Sequence, residues 1–221
     1  LALQNYDEEI AHLEVKYGSP YGRLYLAYYE GKLAGCIGLR KIDEENCEMK
    51  RMYVRTIPAA IEMIEDAHEK GYETSVNIMA VSKVHEAELD AGLELLAQSN
   101  VDVIYLVDSF GTFYPEQIER LTEKYMNVAK KYNKIIGIHA HNNQQLAFAN
   151  TIEAVGDGVD WLDATYAAMG RGAGNCAMEL LLGFLKNPKY NVYPAIQFIE
   201  KYMPAIREAG AVWGYDFQYM M

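Results

Sequence analysis

The chain predicts an α/β fold in which parallel β/α units follow an N-terminal antiparallel β-meander. Three observations carry this. From residue 57 onward, strand-like runs alternate with helix-like runs, the pattern of parallel β/α units. One of those runs, Val101–Asp108, is almost continuously apolar, and the four residues before His139 are apolar or Gly, as in strands covered on both faces. Residues 1–55 instead show three short strand-like runs joined by tight turns, which is how a meander reads.

Taken in order, an amphipathic opening over about 5–16 leads to a strand over Arg23–Tyr29. The turn Glu30-Gly31-Lys32 and the strand Leu33–Arg40 follow. A polar turn at Asp43–Asn46 then leads to a third strand, Cys47–Val54. The change of pattern falls near Arg55-Thr56 with no linker, which divides the chain into residues 1–55 and 56–221. Ile57–Gly71 reads as a helix, with Pro58 near its start and Gly71 at its end. A strand over Glu73–Met79 precedes a helix over about 84–98 with Leu89, Leu93 and Leu96 on one face. The next strand is Val101–Asp108, and its helix begins at Pro115, a residue suited to a first helical turn. Ile118, Leu121, Tyr125, Val128 and Tyr132 then recur at three- and four-residue spacing. The third strand is Ile135–His139, followed by a helix over about 143–155. A fourth, Asp160–Tyr166, runs into Gly170-Arg-Gly-Ala-Gly-Asn175 and a helix carrying Met178, Leu181, Leu182 and Leu185.

Composition narrows the function classes. A chain of 221 residues, 51% hydrophobic and 23% charged, can bury a real core. Its formal net charge of -11 argues against nucleic acid or an anionic membrane as partner. No apolar run approaches the roughly 18 residues of a membrane span. Cys36, Cys47 and Cys176 are too few and scattered for a disulfide framework, so a reducing, cytoplasmic setting is expected. Leu1 in place of Met, and the abrupt end at Tyr219-Met220-Met221, are what a piece cut from a longer chain would show.

The chemistry gathers at the ends of the strands, where parallel β/α folds converge their loops. His139 and His141 lie two apart on a strand, hence on one face and roughly 6.5–7 Å apart along it, a spacing that lets both imidazoles converge on one divalent metal. An isolated pair of this kind is as readily a packing pair. Here all four strands end in polar residues: Asn77 and Ser82, Asp108 and Ser109, His139 to Asn143, and Asp163, Thr165 and Tyr166. Asp108 reads equally as a loop or helix-cap carboxylate and as a group that orients a metal-bound substrate. Exposed N–H groups around Gly172 and Gly174 can hold an anionic oxygen, although glycine turns before helices are commonplace. Asn175 either caps the helix that follows or turns inward as an oxygen ligand.

Residues 57–221 resemble the C-terminal half of a DRE-TIM metallolyase barrel, most closely its 4-hydroxy-2-oxovalerate aldolase branch. The matching stretches are Asn77–Ser82, Leu106–Gly111, His139–Asn143, Ala147–Asn150 and Asp163–Asn175. The resemblance implies a partial TIM (β/α) barrel of about four to five parallel strands, the strand over 48–54 standing in for the barrel's fourth. It implies a divalent metal, Mn²⁺ foremost, held by His139 and His141 with Asn175 as a further ligand. It implies a small 2-oxo acid substrate near Asn77, Asp108, Ser109, Gly172 and Gly174, and a C-terminal tyrosine, Tyr215, as proton donor. The metal would stabilise a pyruvate enolate as the carbon–carbon bond breaks. An open barrel edge would favour a homo-oligomer.

Two expected parts have no counterpart in these residues. The family's first strand carries an Asp-Arg-Glu motif that supplies a third metal ligand and a carbonyl-polarising Arg, and nothing here matches it. The N-terminal stretches Leu24–Leu39 and Cys47–Arg55 resemble the central meander of a GNAT acetyltransferase, yet Arg55 is followed by Thr-Ile-Pro and not by a glycine-rich cofactor loop. Three functions therefore stand as expectations: an aldol lyase releasing pyruvate, a non-catalytic chimeric α/β domain, and an N-acetyltransferase.

Overall fold

The structure, a computed structural model, describes residues 12–20, 22–29, 31–41, 47–54 and 56–215. Most of the amphipathic opening, the turn at Asp43–Asn46 and Arg55 lie outside the described residues. The chain divides into two compact units, one ending at Tyr72 and the other running on from Glu73.

In the first unit, a short helix α1 (Leu13–Tyr17) precedes three strands, β1 (Gly22–Tyr29), β2 (Lys32–Lys41) and β3 (Cys47–Val54). They form an antiparallel sheet in sequence order, Gly22 opposite Arg40 and Gly35 opposite Val54. The β1–β2 hairpin turns at Gly31, whose φ of +74° is costly for any residue with a side chain. Gly38 makes room for the buried ring of Tyr17, which a Cβ at that position would approach to 2.7 Å. Helix α2 (Ile57–Glu69) belongs to this unit and buries Ala59 and Ile64. The meander is thus as expected, but β3 pairs antiparallel with β2 and contributes no fifth strand to the parallel sheet.

The second unit is a four-stranded parallel sheet in the order β4 (Ser75–Ile78), β5 (Val103–Asp108), β6 (Ile135–Ala140) and β7 (Trp161–Leu162). Helices α3 (Glu86–Gln98), α4 (Pro115–Tyr132), α5 (Ala147–Gly156), α6 (Met178–Phe184) and α7 (Tyr193–Glu208) accompany it. Strand β5 is buried at every position, as its apolar run predicts. Side chains alternate between two faces of the sheet. Ala140, with Ile138 and Ile136 before it, looks toward the helices, packing with Ala147 of α5 and Leu181 of α6. Val103, Tyr105 and Val107 cluster with Ile135 on the opposite face, which corresponds to a barrel interior. His139 shares that second face by its place in the alternation. Register fixes one row across the sheet: Asn77, Tyr105, Gly137 and Trp161.

Three elements differ from the sequence expectation. Strand β7 is two residues long, not seven. After Asp163, whose N–H still reaches Ile138 O at 3.0 Å, the chain leaves the sheet, and Thr165 pairs instead with Cys176 and Ala177. Helix α5 starts at Ala147, because Asn142–Leu146 is spent on a turn: Gln145 takes φ +61° and the Asn142 side chain accepts the Ala147 N–H at 3.1 Å. Helix α7 has no counterpart in the sequence pattern described above. It contains Pro204, which reads as a breaker, yet sits in the last turns where one lost backbone hydrogen bond is tolerable. Among the described residues no helix is long and apolar enough to cross a membrane.

Leu106 is fully buried on the helix-facing side of β5. Leu106→Ala should cost about 2–5 kcal/mol of unfolding free energy, measured by urea denaturation, with little effect if that face is loosely packed.

Candidate active site at the strand ends

The rings of His139 and His141 lie side by side at the end of β6, their centroids 5.0 Å apart and nearly perpendicular. Each is held by its Nδ1. His139 Nδ1 meets Asp163 Oδ2 at 3.0 Å, and His141 Nδ1 meets the carbonyl oxygen of Ser109 at 2.9 Å. A backbone carbonyl can only accept, so His141 carries its proton on Nδ1, and an ionised Asp163 dictates the same for His139. In its neutral form each ring then presents Nε2 as the lone-pair nitrogen. This is the arrangement in which histidines bind metals, an outer partner setting tautomer and orientation. Burial, and then the neighbouring His139 and the charge of Arg171, lower the pKa of His141 to about 4 despite the Ser109 hydrogen bond. It therefore stays neutral, as a metal ligand must be.

Asn175 stands opposite His141 in an isolated antiparallel bridge. It does not cap α6, whose cap position is Ala177. Its side-chain amide donates from Nδ2 to Met169 O at 3.0 Å, while Oδ1 is buried without a hydrogen-bond partner. A buried acceptor with nothing to accept is costly unless a further group completes it. The donor set here is two imidazoles and one amide oxygen. Among the described residues there is no cluster of three or more His, Cys, Asp and Glu able to hold a metal. The set therefore fits a divalent ion with neutral donors only, which hard ions bind weakly.

The glycine-rich turn that carries Asn175 is closed upon itself. The Gly174 N–H donates to Arg171 O at 3.0 Å and its carbonyl accepts the Asn142 N–H at 2.9 Å. That N–H, expected to face an anion, is used inside the turn. A Cβ on Gly174 would come within 2.0 Å of Ala168 O, and one on Gly170 within 2.4 Å of Asn175 Nδ2. The glycines clear space for the turn and for Asn175. Gly172 O accepts the Gly214 N–H, and Trp213 Nε1 donates to Ala167 O at 2.8 Å, so the segment after α7 holds the turn from outside. Ala167 and Ala168 both take left-handed φ, +51° and +54°, a local strain that surrounding hydrogen bonds over-determine.

The other expected site residues spread outward from this centre. Asp108 is buried, its carboxylate accepting N–H groups of Thr112 at 3.0 Å and Phe113 at 3.2 Å. Burial raises its pKa, against the opposing pull of those hydrogen bonds. Ser109 acts through its backbone on His141, while its hydroxyl accepts the Ala80 N–H at 2.8 Å and ties the end of β4 to that of β5. Gly111 lets the third strand's loop dock, since a Cβ there would lie 2.6 Å from Asn143 N. Asn77 is exposed on edge strand β4. Tyr215 follows Gly214 and is 70% exposed. Two residues to which the sequence assigns no role enter the site: Asp163, named only as a polar strand end, and Arg171, whose charge acts on His141.

Residues 44–202 match the family model described as HMGL-like. The chain belongs to the HMGL-like family. The match begins before β3 and so takes in the last strand of the meander. A 4-hydroxy-2-oxovalerate aldolase from Thermus thermophilus is 33% identical over 181 residues, covering 77% of this chain and 51% of that protein. An oxaloacetate decarboxylase from Mycobacterium tuberculosis is 37% identical over 123 residues, covering 56% of this chain and 36% of that one. Among solved structures, an N-terminal domain from Bacteroides vulgatus named for an aldolase is 33% identical with a TM-score of 0.61, covering 74% of this chain and 54% of that one. The carboxyl transferase domain of Rhizobium etli pyruvate carboxylase, 18% identical with a TM-score of 0.59, covers 73% of this chain and 29% of that one, and shares the fold. The chain thus spans about a third to a half of the curated relatives it matches.

Two outcomes follow. Because His141 titrates below its ordinary value of 6.5 in the folded state, the unfolded chain binds the extra proton between about 6.5 and about 4. Stability of the metal-free protein should therefore fall as pH drops through that window, and the slope should flatten in His141→Gln; thermal melts at stepped pH test this. Gly174→Ala should destabilise by more than about 1 kcal/mol, because φ is +88° and the Cβ meets backbone; an unchanged midpoint would mean the turn rearranges freely.

Proposed function

We propose that this chain carries the metal end of a carbon–carbon lyase that releases pyruvate from small 2-oxo acids, foremost 4-hydroxy-2-oxo acids, with Mn²⁺ as the divalent metal. The single observation behind this reading is the paired tautomer: both imidazoles tied at Nδ1, both Nε2 atoms left bare, beside the unpartnered Oδ1 of Asn175. His139, His141 and Asn175 are the assigned ligands. A divalent ion there would supply a Lewis acid for the developing enolate. Arg171, close enough to shift the pKa of His141, is assigned to the substrate carboxylate together with Ser109 and the turn at Gly172. Tyr215 is retained as the proton donor through the backbone contact of its neighbour Gly214 with the same turn, and Asn77 and Asp108 as the outer wall. Cleavage of a 4-hydroxy-2-oxo acid and decarboxylation of oxaloacetate both break the bond between C3 and C4 and leave the same pyruvate enolate. The names of the two relatives therefore describe one chemical task, and this chain's residues are suited to the half that the two reactions share.

A second reading has its own observation. With no carboxylate among the described donors, the chain is also suited to being a non-catalytic α/β domain that keeps a weak metal site. We infer for residues 1–55 a GNAT-like fragment without its cofactor loop, which would make the chain a chimera. Protection from proteolysis by acetyl-CoA would instead favour an acetyltransferase. The exposed edges β4 and β7 favour a homo-oligomer, to be tested by sedimentation, in a reducing cytoplasmic setting.

The test is a Mn²⁺ titration followed by EPR on the wild type, His139→Ala and His141→Ala, then pyruvate release from 4-hydroxy-2-oxovalerate and from oxaloacetate. Saturable binding lost in both variants, with slow metal-dependent pyruvate release, is expected. Binding without release supports the non-catalytic reading, and binding indifferent to both substitutions removes the site.

A further inference from the structure

Three successive carbonyls follow Tyr166, and they are shared between two elements. Ala167 O accepts the indole N–H of Trp213 at 2.8 Å. Ala168 O accepts the backbone N–H of Asn175 at 3.1 Å. Met169 O accepts the Asn175 side-chain amide at 3.0 Å and the Thr165 hydroxyl at 2.7 Å. The first carbonyl is thus tied to the segment after α7, and the next two hold Asn175. The Ala167 N–H is tied as well, to Glu179 Oε2 at 3.1 Å. Ala167 and Ala168 take φ of +51° and +54°, a region costly for any residue with a Cβ. Released from their partners, the two alanines would leave that region, and the carbonyls after them would turn with them. Trp213 also stands against the other arm of the turn. A Cβ on Gly174 would lie 3.5 Å from its indole Cδ1, and the next residue, Gly214, donates its N–H to Gly172 O at 3.1 Å. The Trp213 ring is buried, with the Arg207 guanidinium 4.1 Å from its centroid.

We propose that Trp213 is a positioning residue for Asn175. Its indole N–H fixes the Ala167 peptide, which keeps Ala168 O and Met169 O aimed at Asn175 and so holds the amide in the rotamer that leaves Oδ1 bare. An indole has one N–H and no acceptor, so the direction of this bond is fixed. His139 and His141 take their orientation from Asp163 and Ser109, at the ends of β7 and β5. Asn175 takes its own from the segment after α7. The three donors therefore rest on two separate supports, one in the sheet and one outside it. Loosening the outer support should remove the amide oxygen and leave the imidazoles in place. The purpose of this arrangement rests on the metal reading of Asn175, whereas its measurement does not.

The experiment is proton exchange of the asparagine side-chain amides in metal-free, ¹⁵N-asparagine-labelled protein, run beside Co²⁺ titration, on the wild type, Trp213→Phe and Arg207→Ala. Asn175→Ser assigns the Asn175 signal. Asn150 is the internal reference, because its buried amide donates to Phe113 O at 2.8 Å from another helix, α5. Trp213→Phe keeps an aromatic ring in the buried position but drops the donor. Its Asn175 amide should exchange up to about tenfold faster, the size of one lost hydrogen bond, while Asn150 keeps its rate. Arg207→Ala uncovers the indole and leaves its N–H in place, so Asn175 should move the same way by less. Co²⁺ affinity should fall in Trp213→Phe no further than in Asn175→Ser, because the imidazoles are held elsewhere. An unchanged Asn175 rate in Trp213→Phe overturns the proposal. So does equal acceleration of Asn150 and Asn175, which would mean that the whole unit has loosened, and so does wild-type Co²⁺ affinity in Trp213→Phe where Asn175→Ser weakens it. If Asn175 alone accelerates but the wild type binds no Co²⁺, the positioning role stands and the metal reading fails. Should Trp213→Phe not fold, Arg207→Ala at its exposed position decides alone: a faster Asn175 beside a steady Asn150 supports the role, and no change overturns it.

Discussion

The hydrogen bond at Nδ1 of each histidine is the constraint on which the rest of the site depends. An imidazole offers one lone pair and one N–H, and whichever nitrogen is tied decides what the other can do. Here a carbonyl at 2.9 Å and a carboxylate at 3.0 Å take the two N–H groups, so both rings turn the same nitrogen outward. Neither acceptor lies on β6. Ser109 comes from the end of β5 and Asp163 from the end of β7, so the parallel sheet itself is what assembles the pair. A shift of register by one residue in either neighbour would send its acceptor to the other face.

The same dependence explains why the turns around the site are so tightly specified. Gly111 allows the loops after β5 and β6 to touch, and Gly174 allows the glycine-rich turn to close under Ala168 O. Two successive left-handed alanines are held there by Glu179, Trp213 and Asn175 from three directions. Strain of this kind persists only where neighbours over-determine it. Its consequence is an Asn175 amide that spends its donor on Met169 O and leaves its oxygen buried and unpaired.

Much of this was legible in the residues. His139 and His141 two apart on an apolar strand already imply one face, and Asn175 after a glycine turn already offers an inward amide. What could not be read is anything carried by the backbone or by register. The acceptor for His141 is a carbonyl, which every residue has. Strand β7 looked seven residues long because Asp160–Tyr166 is strand-like, but Thr165 finds its partner in the returning segment, and the competition is decided by the turn between them. Residues 48–54 lie within the family match, yet they pair outside the parallel sheet for a related reason. An adjacent antiparallel partner in β2 satisfies their backbone locally, through a short connection.

The charge of the donor set then bears on what this half of a barrel can do. Two imidazoles and an amide oxygen offer a divalent cation uncharged donor atoms, with the Asp163 carboxylate behind His139 and the charge of Arg171 acting on His141. Under the proposed assignment such a centre would hold a divalent ion weakly until an anion joined it. A 2-oxo acid brings a carboxylate and a carbonyl oxygen, which are the hard, negative donors that the protein side lacks. Metal and substrate would therefore strengthen each other's binding at these residues, and the reciprocity of linked equilibria makes the gain the same in both directions. Under the proposed function, an arginine unfavourable to the bare ion would become favourable once the carboxylate is present, so these residues would favour the ion with its substrate over the ion alone.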